Sequence, residues 1–163
     1  MLDDKPFKGV ENRGRVKQNP KNPAKPIRTG KLWQKQRGVW TLIHTGLHEP
    51  DPRSIAEVER LAAAAGIEMP AWSKLRSGCL DTNGKPMGAL VGAVVFTEDV
   101  VPEAITDPRE RPWVNPEAGY CWRVRKSVTF DRHIPCPGLN GFFAPVPEAH
   151  VLAAAELRGL DPT

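Results

Sequence analysis

Residues 88–96 read Gly88-Ala-Leu-Val-Gly-Ala-Val-Val-Phe96, which contains the longest uninterrupted apolar run of the chain. A run of this length, rich in valine and bounded by turn residues, is typical of a buried β-strand. The glycines at 88 and 92 indicate bends or a close approach of another backbone. The sequence therefore predicts a buried strand here.

Three other segments have strand character, and one is predicted to close the sheet. Residues 38–44 are rich in β-branched and aromatic side chains, and residues 119–126 alternate before 128–134 continue the pattern. Residues 142–145 are predicted as a short closing strand. The 17 prolines and 14 glycines imply many turns and argue against a helical bundle.

Two segments are predicted to be helices. Ser54 and Glu57 have the spacing of a capping box, and the helix they open extends to Ala65, with Gly66 placed to cap its end. A second, alanine-rich helix is expected over 148–157. Strands separated by turns, with a helix near the front, favour an α+β fold built as a small mixed β-barrel with flanking helices.

Length and composition indicate one globular domain over residues 1–163. The chain is 40% hydrophobic and 26% charged, as expected of a protein with a real core. Three cysteines (Cys79, Cys121 and Cys136) form no paired spacing, which indicates a reducing compartment. We find no signal-like apolar core and no run long enough to span a bilayer, so the expected location is the cytoplasm, without a membrane partner.

Basic charge is concentrated at the start of the chain. The net charge is +4, but residues 1–37 contain eleven Lys/Arg and three Asp/Glu, a net +8. Residues 14–37 are rich in Lys, Asn and Pro and predict an exposed loop without helix. Such an asymmetry is typical of an anion-binding surface, and a solubilising tail explains the charges equally well.

Four segments in order resemble the ASCH family (activating signal cointegrator homology), a PUA-like group. The first resembles a Gly-x-Lys-x-x-Glu-Asn-Arg element at the end of the family's first helix, and the others resemble three strands or strand ends. The segments are Lys8-Gly-Val-Glu-Asn-Arg13, Arg37-Gly-Val-Trp-Thr-Leu-Ile-His44, Gly88-Ala-Leu-Val-Gly92, and Gly119-Tyr-Cys-Trp122 with Ile134-Pro135 and Gly138-Leu-Asn-Gly-Phe142.

The resemblance implies a PUA-like β-barrel with a cleft beside the first helix that binds RNA or a nucleotide. This sequence differs from the family pattern in two places. Only seven residues precede Lys8, so we expect a truncated start or a barrel that closes differently. The gap from Arg13 to Arg37 is long, which makes residues 14–37 a basic, proline-rich insertion.

Lys8, Glu11 and Arg13 are the candidate cleft residues. On a helix, Lys8 and Glu11 would share a face. A cation and a carboxylate beside one cleft could bind phosphate and hold a water, whereas spacing alone favours an ordinary surface ion pair. Relatives that hydrolyse acylated cytidine have a threonine nucleophile where this chain has Glu11, so we do not expect that chemistry. Glu11 could act as a general base if burial raised its pKa.

Other residues are candidates for nucleic-acid contacts, each with a structural alternative. His44 could reach the cleft rim or be hydrogen-bonded at the barrel edge. Tyr120 or Trp122 could stack on a base or belong to the core, as Trp40 and Phe142 are expected to do. Arg123 could contact phosphate or lie on a solvated face. The resemblance adds Arg37, Gly138 and Asn140 to this set.

Neither a cofactor nor a metal site is expected. His44 and His48 are four residues apart, but Gly46 breaks the helix that would align them. His133, Cys136 and Cys121 also lack ligand spacing. Nothing in the sequence specifies an oligomeric state.

Three functions are compatible with these observations. The first is a module that binds RNA, another nucleic acid or a nucleotide in a basic cleft. The second is a hydrolase that acts on RNA or a modified nucleoside through Lys8, Glu11 and His44. The third is a protein-interaction module in which residues 14–37 become ordered on a partner.

Overall fold

A computed structural model describes residues 2–3 (backbone), 8–47, 50–69, 83–85, 87–139 and 141–163. The described strands are β1 (Leu2–Asp3), β2 (Val10–Arg13), β3 (Val16–Lys17), β4 (Ile27–Arg28), β5 (Trp40–His44), β6 (Ala89–Val100) and β7 (Tyr120–Pro135). The described helices are α1 (Pro52–Ala64) and α2 (Pro147–Glu156). Short 3-10 turns occur at Gln34–Gln36, Pro102–Ala104 and Arg111–Trp113.

An antiparallel sheet, four strands wide, forms the centre of the α+β fold. The long strands β6 and β7 pair with each other, β5 pairs with the outer edge of β6, and β1 and β2 share the outer edge of β7. In the described residues β2 and β5 do not pair, so the sheet is open and the predicted closed barrel is not confirmed. The strands predicted around residues 38–44, 88–96 and 119–134 are confirmed.

Two predicted backbone conformations are wrong. The segment from Lys8 to Arg13, expected at the end of a helix, contributes strand β2, because pairing with residues 120–123 of β7 satisfies its backbone groups. Alternation along this strand places Val10 and Asn12 on one face and Glu11 and Arg13 on the other. Residues 142–145, expected as a closing strand, follow a turn at Gly141 and pair with no described strand.

The N-cap of helix α1 lies three residues before Ser54, the residue predicted to cap the helix. Asp51 is the N-cap, and its carboxylate accepts from the backbone N–H groups of Arg53 and Ser54 at 2.8 and 2.9 Å. Pro52 fits the first helical position, where no N–H is needed. Glu57 is paired instead with Arg60. The predicted capping box is therefore wrong, whereas Gly66, with a φ of +72°, follows the helix end as expected.

We predict that the cap on α1 depends on pH. Hydrogen bonds from Ser54 hold the pKa of the Asp51 carboxyl below its usual value. The carboxylate therefore stabilises the fold above its unfolded pKa of about 3.9, and this contribution is lost as the pH falls through the lower folded value. In thermal melts from about pH 7 to about pH 3, Asp51→Ala should melt below wild type, by a margin that narrows on acidification.

Asp51→Asn is the matched control, because asparagine caps about as well but does not titrate. The difference in melting temperature between Asp51→Asn and Asp51→Ala should be the same at every pH tested. If the difference in melting temperature between wild type and Asp51→Ala does not change with pH, the carboxylate is excluded as the source of the stabilisation.

Three apolar clusters hold the layers together. Helix α2 packs Ala149 and Ala153 against Ala93, Phe130 and neighbours on the sheet. Helix α1 packs Ala62 against the buried Val10 and Cys121, and burial raises the pKa of the Cys121 thiol. The third cluster contains Leu32, Phe96 and Trp122. Within the described chain, neither helix has the length and apolarity that a bilayer span requires.

The basic, proline-rich segment 14–37 has two parts. Residues 14–28, here called the ribbon, carry the two-residue strands β3 and β4 and are mostly exposed, as predicted. Residues 29–37, here called the strap, lie against the sheet through Leu32. Gly14, at the start of the ribbon, and Gly30, near the start of the strap, lie against each other with φ values of +62° and +89°. A Cβ on Gly14 would lie 2.0 Å from the Thr29 carbonyl oxygen, so the crossing requires glycine.

Candidate nucleic-acid interface

A cleft of about 780 Å³ lies between the two outer edges of the sheet. Its floor is apolar and comes from the central strands, and its rims come from β2, from β5 and from the loop after β7. The floor includes Leu90, Val94, Phe96 and Val124; the rims include Lys8, Glu11, Arg13, Thr41, Ile43, His44, Leu139, Phe142 and Phe143. This volume is within the range of small-molecule and cofactor sites, about 300–1,000 Å³.

The β2 rim brings together Lys8, Glu11 and Arg13. Lys8 Nζ lies 2.8 Å from Glu11 Oε2, and Arg13 Nη2 lies 3.8 Å from Glu11 Oε1. The sequence placed this trio beside the first helix, whereas the structure places Glu11 and Arg13 on an edge strand along the cleft and Lys8 just before that strand. The Arg13 guanidinium is half exposed, so it can reach an anion bound at the rim.

Trp122 lies in the core rather than in the cleft. Its side chain is only 4% exposed, its Nε1–H donates to the Gly30 carbonyl at 2.7 Å, and its ring contacts Phe96 edge-on. The Arg13 guanidinium lies 5.1 Å from the ring centroid. Tyr120, partly buried, packs against the same cluster. Of the two readings for Trp122, the structure places the residue in the core.

Arg37 and Arg123 are engaged outside the cleft. Arg37 pairs with Asp99 on β6, where the aspartate side chain is 6% exposed. Arg123 donates to Glu98 at 2.7 Å and lies 3.5 Å from Glu110. The hydrogen bond to Glu98, with the negative charge of both carboxylates, raises the pKa of Arg123. Neither guanidinium lines the cleft, so the structure does not bring these two residues together with Arg13.

His44 lines the opposite rim, after a bulge between Ile43 and His44 in the pairing with β6. Bulges commonly redirect side chains at sheet edges. Its Nε2 lies 2.7 Å from the Cys136 carbonyl oxygen, and because a carbonyl can only accept, Nε2 carries the proton. A Cβ on Gly138 would lie 2.3 Å from the imidazole. His44 therefore both lines the cleft and is hydrogen-bonded at the sheet edge.

Some candidate residues lie outside the described part of the chain: Asn140, His48 and Cys79. Among the described residues, no group of three or more His, Cys, Asp or Glu side chains is arranged to hold a metal ion.

Two aromatic residues at this interface were not identified as surface residues from the sequence. Phe142, expected in the core, is 50% exposed and lines the cleft, and Trp33 on the strap is 57% exposed. The available signal was the segment Lys31-Leu-Trp-Gln-Lys35, in which an aromatic residue lies between lysines. Aromatic residues interleaved with basic ones are typical of surfaces that bind single-stranded nucleic acid.

The ribbon extends the positive charge beyond the rim. Strand β2 leads through Gly14 directly into the ribbon, and the ribbon's cations Arg15, Lys17, Lys21 and Lys25 belong to exposed residues.

Comparisons of the chain with protein-family models, with curated proteins and with solved structures found no match.

Proposed function

We propose that this protein binds RNA, holding one nucleotide in the cleft between β2 and β5. The observation that carries the proposal is the combination of an apolar floor with a cationic rim that is continuous with the basic ribbon. A base fits the apolar floor, and its phosphate would lie against Lys8 and Arg13. The neighbouring phosphates would follow the ribbon.

The charge arrangement at the rim suits a phosphate ligand. Glu11 contacts both cations of the rim, Lys8 at 2.8 Å and Arg13 at 3.8 Å. A phosphate offers several strong acceptors and can engage a guanidinium with two hydrogen bonds. Surface ion pairs of this kind are weak, so an incoming phosphate can compete for the cations at little cost.

The same geometry favours binding over hydrolysis. Both oxygens of Glu11 face a cation, and its side chain is one-third exposed beside an open cleft. A general base needs an oxygen directed at the proton it removes. Glu11 is instead oriented towards Lys8 and Arg13, which indicates a role in positioning them.

The resemblance of four segments to ASCH domains supports the proposal, since RNA or nucleotide binding is what that resemblance implies. We extend the proposal to an ASCH-like, PUA-related fold that acts in the cytoplasm. The strand at Val10–Arg13 departs from the expected helix, so the support comes from the order of the segments and not from this backbone conformation.

Reversing the charge of Arg13 tests the proposal. Arg13→Glu should weaken binding of a labelled oligoribonucleotide by about tenfold or more at low salt, and it should flatten the dependence of log affinity on log salt. Fluorescence anisotropy measures both quantities. Mononucleotide binding, measured by calorimetry, should fall in parallel because the phosphate contact is at the rim.

Two further variants serve as controls. Arg158→Glu makes the same change at an exposed residue after α2 and should leave affinity within about twofold. Glu11→Gln should retain RNA binding, because the amide oxygen can still accept from Lys8 and a carboxylate that competes with the phosphate is removed, whereas a catalytic role predicts lost turnover on RNA or nucleosides. No binding by wild type at low salt, or equal losses for the two arginine variants, would refute the proposal.

A further inference from the structure

Beyond the cleft, we propose that Trp33 and Phe142 form a stacking platform for the bases of single-stranded RNA. The proposal deepens the proposed function and rests on it, because the strand would pass from the cleft onto these two rings. Their centroids are 6.2 Å apart and their planes are tilted by 33°.

The exposure of the two rings is the first observation. Trp33 is 57% and Phe142 is 50% exposed. The other tryptophans that the structure describes, Trp40, Trp113 and Trp122, are partly or fully buried. Large aromatic groups left in water lose the favourable free energy of burial, so adjacent exposed rings mark a binding surface.

The second observation is that buried groups hold the backbone next to Trp33 and the ring of Phe142. Leu32, next to Trp33, is 2% exposed, and its N–H donates to Asp99 at 3.0 Å. The ring of Phe142 stacks on the buried ring of Trp122, with centroids 6.0 Å apart and planes within 13°. A base that stacks on rings already held in place requires little new ordering of the protein, which favours affinity.

The charges beside the rings identify the partner. Lys35 Nζ lies 5.0 Å from the centroid of Trp33, and the Arg13 guanidinium lies beside Trp122. The platform thus combines π-faces with cations, and a nucleotide strand presents flat bases alternating with phosphates. An apolar protein partner would desolvate these cations without supplying an anion, which is unfavourable.

The RNA that binds this platform is single-stranded. In a duplex, both faces of each internal base are covered by neighbouring bases, so half-exposed rings gain a stacking partner only from unpaired bases. Phe142 also lines the cleft. One base in the cleft and the next on the platform is therefore the arrangement that the geometry favours.

Trp33→Ala tests the platform, with three ligands compared: a mononucleotide, a single-stranded hexaribonucleotide, and the same hexamer annealed to its complement. The variant should bind the single strand about 10- to 100-fold more weakly. Its affinity for the mononucleotide should be unchanged within about twofold, and wild type should prefer the single strand to the duplex. Trp33→Phe should retain most of the affinity, because a phenyl ring still offers a π-face.

The outcomes separate the platform from the cleft. If Arg13→Glu lowers mononucleotide affinity but Trp33→Ala leaves single-strand affinity intact, the platform is refuted and the cleft stands. If Trp33→Ala lowers single-strand affinity while mononucleotides fail to bind, the platform stands and the cleft assignment fails. Failure of wild type to bind any of the ligands at low salt refutes both.

Discussion

Replacing Trp122 with alanine is expected to lower the free energy of unfolding by about 3–5 kcal/mol, the usual cost of emptying a buried tryptophan site. The ring is 4% exposed and contacts Phe96, Phe142 and Arg13. Its Nε1–H also donates to the Gly30 carbonyl, which fixes the strap to the sheet. Urea denaturation followed by circular dichroism measures the loss.

Two variants make this result specific. Trp122→Phe keeps most of the packing but loses the hydrogen bond to Gly30, so it should cost about 1–2 kcal/mol. Trp33→Ala removes the same side chain from an exposed site and should change stability by no more than about 0.5 kcal/mol. If Trp33→Ala and Trp122→Ala lower the free energy of unfolding equally, the difference in burial between the two tryptophans is contradicted.

Replacing Asp99 with alanine is expected to destabilise the fold by about 3 kcal/mol, since it leaves a partly buried cation without its partner. One oxygen of Asp99 pairs with Arg37, and the other accepts from the Leu32 N–H at 3.0 Å. The aspartate side chain is 6% exposed and that of Arg37 is 28% exposed, which places the cost at the lower end of the range for buried pairs. Chemical denaturation provides the measurement.

A double-mutant cycle isolates the ion pair. Arg37→Met combined with Asp99→Ala should cost less than the sum of the single changes by about 1 kcal/mol or more. Asp99→Asn, which still offers an oxygen to Leu32, should be intermediate. The exposed pair of Glu57 and Arg60 is the matched comparison, and Glu57→Ala there should change stability by no more than about 0.5 kcal/mol. Additive losses at 37 and 99 would show that the pair is not coupled.

Both predictions concern the attachment of the strap to the sheet. Trp122 and Asp99 hold Gly30 and Leu32, and these residues position Trp33. A folded variant such as Asp99→Asn should therefore also bind single-stranded RNA less tightly than wild type, because the strap is held less firmly. Arg37, expected from the sequence to contact nucleic acid, acts here as part of this support.

The central strands, the two described helices and the location of the basic charge could be predicted from the amino-acid sequence. Residues 88–96 and 119–134 are long enough, and patterned clearly enough, that local physics decides their conformation. Gly66, which follows the end of α1, acts through backbone geometry alone, so it can be recognised without knowledge of neighbours.

The roles of the short and charged segments depend on long-range contacts that the sequence does not reveal. Val10–Arg13 has four residues, too few to distinguish helix from strand, and its pairing with β7 settles the conformation. Arg13, Arg37 and Arg123 are equivalent as sequence letters, but the acidic partners of Arg37 and Arg123 lie 62 and 25 residues away. The burial of Trp122 and the exposure of Trp33 likewise depend on which surfaces meet. Long-range contacts set these roles because a side chain's environment is made by residues distant in the chain.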